Sequence, residues 1–235
     1  MTPERLLAIG DIHGRARSLR ALLDAVQVND QDRLIFLGDY VDGGPDSAET
    51  LDLLQAMLER PRTVALRGNH DDELINVLDM PDHFEAWAST RGQETVQSYG
   101  LNGSAADLAV IERRHGEVLR SLRLWHEEPE AIFVHAGLDP AVPMHEQDPR
   151  ILLWQKMYNA PRPHISRKMV ICGHTSQRSG LPKDFGWTIC IDTNAKNGGW
   201  LTCLDVVSRR VWQARDAGPA RAFMLGETPR SAPSS

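Results

Sequence analysis

Short apolar runs recur along this chain, and each stops at a glycine or histidine beside a polar residue. Leu6–Ile9 ends at Gly10-Asp11, Leu34–Leu37 at Gly38-Asp39, and Thr63–Leu66 at Arg67-Gly68-Asn69-His70. Runs of this length and composition predict buried strands. After the first, Leu19, Leu22, Leu23 and Val26 fall at i, i+3, i+4 and i+7, one face of an amphipathic helix; Leu51, Leu54 and Leu58 mark another after the second. Strands alternating with helices predict βαβ units and a sheet covered on both faces.

From about Met80 to Glu128 the pattern turns helical but irregular, with Trp87, Tyr99 and Trp125 scattered among polar residues. This predicts a helical cap inserted at about 80–128. Strand signals resume at Ala131–Val134, ending at His135-Ala136-Gly137, and at Met169–Cys172, ending at Gly173-His174-Thr175. Trp187–Ile191, Leu201–Val206 and Arg210–Ala214 read as antiparallel strands of a second sheet. The segment 217–235, rich in Pro, Gly, Ser and Ala, predicts a disordered tail, leaving 1–216 as one domain.

Composition narrows the class. The 235 residues are 41% hydrophobic and 25% charged, ordinary for a globular chain. No run of about 18 apolar residues predicts a membrane span. The residues up to Ile9 are too short and too acidic for a secretory signal, so the cytoplasm is the expected compartment. Cys172, Cys190 and Cys203 lack a C-x-x-C spacing and are expected to be buried, reduced thiols. A net charge of −6 with no basic run argues against a nucleic-acid partner. It also means that protein cations are scarce, so a phosphate-processing site would need bound metal ions.

The polar residues at the strand ends are Asp11, His13, Asp39, Asp42, Asn69, His70, His135 and His174. In open α/β sheets, ligands bind beyond the carboxyl ends of strands. Carboxylate, imidazole and amide form the ligand set of Mn²⁺, Fe²⁺ or Zn²⁺. Each fragment alone has a plainer reading: a tight turn at Gly10–Gly14, or a cap at Asp39 or at Asn69-His70-Asp71. Their shared placement at strand ends favours one constellation. His83, His115, His126, His145 and His164 fall elsewhere and are expected to be solvated or capping.

Gly10-Asp11-Ile12-His13-Gly14, Gly38-Asp39-Tyr40-Val41-Asp42-Gly43-Gly44 and Gly68-Asn69-His70-Asp71, completed by His135-Ala136-Gly137 and Gly173-His174-Thr175, resemble the phosphoprotein phosphatase branch of the calcineurin-like metallophosphoesterases. The resemblance runs from about Leu6 to Asp205. It is strongest to the phage-lambda-type serine/threonine phosphatases and the symmetrical diadenosine tetraphosphate hydrolases. It implies an α/β fold in which two mixed β-sheets pack as a sandwich flanked by helices. It also implies two divalent metal ions, manganese expected and iron or zinc the alternatives. Asp11, His13 and Asp39 would hold one, and Asp39, Asn69, His135 and His174 the other, with Asp39 bridging. A metal-bridged hydroxide would attack phosphorus, with His70 as general acid and Asp42 as its partner. The function so implied is hydrolysis of phosphate monoesters by a protein serine/threonine phosphatase acting on a phosphorylated protein. The alternatives are a bis(5'-nucleosyl)-tetraphosphatase or phosphodiesterase acting on a small phosphate ester or polyphosphate, and an inactive metal-binding regulatory module. Oligomeric state is not given.

Two departures stand out. The resembled motif carries Arg where this chain has Gly43, and a second Arg commonly follows a Leu-Trp pair, where Leu153-Trp154 is followed by Gln155-Lys156. Lys156 is the expected stand-in, with Asn69 and Arg67 as further phosphate contacts and Arg15 and Arg17 as other candidate cations. Alternatively, the space at Gly43 admits a bulkier substrate. Arginine clamps phosphate in a planar, bidentate manner and lysine acts as a point charge, so the exchange is not neutral.

Overall fold

Alternation of side chains decides the layers. In the computed structural model, which describes residues 4–229, β1 (Leu6–Ile9) sends Leu7 and Ile9 into a core shared with helices. Leu6 and Ala8 go into a second core between two sheets. A strand buried on both faces needs apolar residues at every position, which is why β1 reads as a continuous run rather than an alternating one.

In the first sheet β1 pairs with β2 (Arg33–Phe36), and β2 with β3 (Thr63–Ala65), all parallel. Helices α1 (Ala16–Val26) and α2 (Ser47–Leu58) connect them, burying Leu19, Leu22, Leu51 and Leu54. After α3 (Asn69–Asp79) come α4 (Phe84–Ala88), α5 (Gln93–Ser98) and α6 (Leu108–Ser121). Phe84, Trp87, Val96 and Ile111 join the same core as α1 and α2, so these helices extend the outer layer. The second sheet contains β4 (Trp125–Glu127), β5 (Ala131–Val134), β6 (Met169–Cys172), β7 (Lys183–Asp184) and β8 (Thr188–Cys190), in the order 4-5-6-8-7. Its outer face packs under α7 (Pro149–Trp154) through Leu152 and Met144. The result is the two-sheet α/β sandwich that the resemblance implies.

Four expectations need correction. Residues 201–205 and 210–214 form β9 (Leu201–Asp205) and β10 (Arg210–Ala214), antiparallel as expected but in the first sheet, where β9 pairs with β1. Of the three runs assigned to the second sheet, only β8 lies there, and it runs parallel to β6. The helical insert ends earlier than 128, because Trp125 lies in β4 and packs on the outer core of the second sheet. The tail expected to be disordered contains β11 (Arg221–Met224), paired with β10 and burying Phe223 between the sheets; residues 230–235 lie outside those described. Finally, His115 and His164 are buried. His115 bridges Tyr99 and Asp52, tying the insert to α2, and His164 donates to the Val142 carbonyl. Cys172, Cys190 and Cys203 are buried free thiols, as expected.

One side chain locks two strand ends together. The fully buried Asp71, in the first turn of α3, accepts the N–H groups of Asp39 (2.8 Å), Tyr40 (2.9 Å) and Gly68 (2.8 Å). The loops it joins approach so closely that a Cβ on Gly38, which sits at φ +103°, would fall 2.4 Å from the Gly68 nitrogen. Replacing Asp71 by Asn turns one acceptor towards a backbone donor as a second donor. Burial and the nearby Asp39 charge raise Asp71 to about 7, so the comparison is made at about pH 8.5, where it is charged. Hydrogen bonds to a charged group contribute about 1.5–3 kcal/mol, and Asp71→Asn should lower unfolding stability by about 3 kcal/mol in a urea titration. A loss under about 1 kcal/mol would mean that the loops hold without it.

Candidate metal centre and active site

Every residue of the constellation sits beyond a strand end of the parallel portions: Asp11 and His13 after β1, Asp39 and Asp42 after β2, Asn69 and His70 after β3, His135 after β5 and His174 after β6. His13, Asp39, Asp42 and His174 all have left-handed backbones, with φ of 50°, 55°, 66° and 60°. Non-glycine residues rarely adopt that conformation, and such positions cluster where a site dictates side-chain direction.

Asp39 is the hub. His13 Nε2 lies 3.4 Å from one of its oxygens and His135 Nε2 lies 3.5 Å from the other. Two groupings share it, His13–Asp39–His70 and Asp39–His135–His174, and in each the possible ligand atoms lie within 4.8 Å of one another. Backbone carbonyls orient the rings. His13 Nδ1 faces the Val41 and Asp42 carbonyls, and His135 Nδ1 donates to the Leu37 carbonyl at 2.9 Å. Each therefore turns Nε2 inward, as metal-ligating histidines do. The Asn69 carbonyl oxygen lies 3.1 Å from His135 Nε2. Asp11 stands apart from both groupings: its oxygens accept the His174 N–H at 3.0 and 3.2 Å.

Burial drives His13 down to about 3, and burial with His135 and Lys156 nearby does the same to His174. Both rings are therefore neutral, with lone pairs available. Burial works to raise the Asp39 carboxyl, yet the facing His135, His13 and His70 hold it below the usual carboxylate range. Burial and the neighbouring Asp192 and Asp39 push Asp11 well upward, and burial raises Asp192 to about 6. Asp11 and Asp192 are crowded, buried carboxyls pushed toward protonation, imidazoles surround Asp39, and divalent cations fit that donor set.

His70 Nδ1 meets Asp42 at 2.7 Å. The Thr95 hydroxyl, from α5, donates to the other Asp42 oxygen at 2.6 Å, and the Asp42 N–H returns to Thr95 at 3.0 Å. Burial lowers the His70 pKa, but the Asp42 hydrogen bond and the Asp39 charge outweigh it and the net shift is upward. His70 lines an open cleft of about 530 Å³ with Asp39, Asn69, His174, Trp154 and Asp192.

The cleft's cations differ from those expected. Lys156 lines it and is anchored by a 2.9 Å bond to the His174 carbonyl. Arg67 does not line it, because Asp72 holds its guanidinium at 3.2 Å. Arg15 is drawn to Asp216 and to the Lys196 carbonyl, and Arg17 is exposed away from the cleft. Lys196 and Arg91 line the cleft, and neither was legible in the motifs. Asp192 and Thr95 were missed too; nothing in their sequence neighbourhoods marks them.

Residues 4–178 match the calcineurin-like phosphoesterase family, and the chain belongs to it. The symmetrical bis(5'-nucleosyl)-tetraphosphatase of Methylococcus capsulatus is 34% identical over 140 residues, which cover 58% of this chain and 44% of that protein. The match thus spans less than half the length of that curated relative. The asymmetrical bis(5'-nucleosyl)-tetraphosphatase PrpE of Geobacillus thermodenitrificans is 24% identical over 229 residues, covering 83% of this chain and 88% of that one. In fold, the chain resembles a serine/threonine phosphatase from Saccharomyces cerevisiae with a TM-score of 0.61 at 19% identity, over 97% of this chain and 82% of that one. That family uses a dinuclear metal centre, and the His and Asp groups gathered here could bind metal ions. Among the described residues, no helix is long and apolar enough to cross a membrane.

Because both groupings use Asp39, its loss should affect both metals. Calorimetric titration with Mn²⁺ should give two equivalents for the wild type, about one for His174→Ala, and none at comparable affinity for Asp39→Asn. Two intact equivalents in Asp39→Asn would show that its carboxylate is not shared.

Proposed function

We propose that this chain hydrolyses a phosphoanhydride bond of a dinucleoside polyphosphate, with Asp11, His13, Asp39, Asn69, His135 and His174 holding two divalent ions and His70 protonating the leaving oxygen. The observation that carries the hydrolytic reading is the His70–Asp42 pair, 2.7 Å apart, whose imidazole opens onto the same cleft as Asp39 and Asn69. The choice of a polyphosphate rests on the relatives named below. Ions held there would supply Lewis-acid charge on the phosphoryl oxygens and an activated water.

Asp42, itself fixed by Thr95, keeps the His70 ring oriented with Nε2 toward the cleft. Lys156 places a positive charge at the mouth, where a phosphate oxygen can meet it. The cleft volume is in the range of small-molecule sites. Relatives named as tetraphosphatases, one of them aligned along most of the chain, support the polyphosphate substrate.

A phosphorylated protein, the substrate first expected from the motifs, is the second reading. It is favoured by a further groove of about 350 Å³ that meets the cleft at Lys156 and is lined by Pro140, Met157, the exposed Tyr158 and Pro161. Residues flanking a phosphorylated side chain would lie there.

A Mn²⁺-dependent assay of diadenosine tetraphosphate, a phosphoserine peptide, p-nitrophenyl phosphate and bis-p-nitrophenyl phosphate separates the two. The tetraphosphate should lead in kcat/KM by orders of magnitude; the phosphopeptide leading instead would replace the first reading by the second. No Mn²⁺-dependent turnover above a His135→Ala background on any of the four would leave an inactive binding module. The role of His70 is tested by leaving group. His70→Asn should lose roughly 10²–10⁴-fold on substrates with poor leaving groups and much less on p-nitrophenyl phosphate. Equal losses would remove His70 as the proton donor.

A further inference from the structure

The missing arginine at position 43 leaves room that another side chain occupies. A Cβ built on Gly43 would fall 2.6 Å from Cγ and 2.7 Å from Cε of Lys196, so Lys196 lies across the position from which the motif's arginine would grow. Its Nζ ends 3.1 Å from His70 Nε2, the nitrogen facing the cleft. Among the described residues, no carboxylate pairs with it.

The backbone that presents Lys196 is strapped in place. Lys196 sits on a short turn, Ala195–Asn197, flanked by Asn194 and Gly198, both with left-handed backbones. Arg15 donates to the Lys196 carbonyl at 2.8 Å, and Asp216, which also accepts from Ser18 at 2.6 Å, holds Arg15 at 3.0 Å. The Asn194 N–H bonds to Asp192 at 2.9 Å. A flexible lysine is thereby delivered from a fixed point to the proton donor.

We propose that Lys196 is the specificity-determining cation on the leaving-group side of the cleft, favouring substrates whose leaving group is itself a phosphate over those that leave as an alcohol. The inference rests on the hydrolytic reading above. In hydrolysis of a phosphoanhydride, water oxygen bonds to phosphorus and gives up a proton to solvent, the bridging oxygen–phosphorus bond breaks, and the electron pair stays on the departing phosphate. That oxygen leaves beside His70 and so beside Lys196. A phosphate's last ionisation falls near pH 6, so it is stable as an anion and gains most from a fixed cation. An alkoxide or phenoxide gains most from the proton that His70 donates.

The test compares kcat/KM with Mn²⁺ on diadenosine tetraphosphate and phenyl phosphate for the wild type, Lys196→Ala and Lys196→Arg, with thermal melts to confirm folding. Lys196→Ala should lose about 30-fold more on the tetraphosphate than on phenyl phosphate, the worth of one charged hydrogen bond. Lys196→Arg, which keeps the charge, should recover most of that selectivity. Equal losses on both substrates, or Lys196→Arg matching Lys196→Ala, would overturn the assignment of Lys196 while leaving the proposed function standing. A wild type that hydrolyses phenyl phosphate but not the tetraphosphate would overturn both.

Discussion

Asp71 accepts hydrogen bonds from two loops at once, and the geometry of the site is built around that tie. The loops after β2 and β3 come close enough that Gly38 and Gly68 have no room for a Cβ. With the backbone N–H of Asp39 turned inward to Asp71, its carboxylate is left facing His13 on one side and His135 on the other. The Tyr40 hydroxyl adds a second brace to the Leu66 carbonyl at 2.8 Å. A side chain held this way keeps its direction without a ligand to order it, which is what a preorganised site requires.

The electrostatics follow from that scaffold. Asp11, Asp39 and Asp192 are all buried, and the imidazoles of His13, His135 and His174 are pushed toward neutrality. Protein cations stay at the rim: Lys156 and Lys196 line the cleft, and Arg91 is engaged by Glu73. Burying ionised carboxylates without a compensating charge is costly, and the chain's net charge of −6 offers no general relief. The interior thus gathers carboxyls and imidazoles that could bind metal ions, while lysines stand along the cleft.

The strand ends were legible in the sequence because a buried parallel strand writes itself as an apolar run, and the residue after it is where a side chain can face a ligand. Sheet membership was not. Leu201–Val206 and Arg210–Ala214 look like any antiparallel pair, and no local pattern says that β9 hydrogen-bonds to β1. Arg221–Met224 was hidden by its neighbours' Pro, Gly and Ser, although burial of Phe223 suffices to dock it. Arg67 looked available from its position beside Asn69, but Asp72, five residues on, captures it. Lys196 and Thr95 carry no motif; they matter through contacts across 126 and 53 residues of sequence, with His70 and Asp42 respectively.

Thr95 changes what the helical insert means. A cap that only shaped the cleft could drift without consequence for the chemistry. Here α5 reaches His70 through Asp42, and Arg91 and Glu94 line the cleft from the same stretch of chain. Ser98 also anchors the segment to α2 by accepting the Ala48 N–H at 3.0 Å. A substrate group pressing on this segment therefore pushes on the element that orients His70, and the coupling needs no large motion because the intervening contacts are short hydrogen bonds between buried groups. The lining of the cleft and the orientation of His70 thus share one support, and a substitution in this segment keeps the ring in place only if Asp42 stays held.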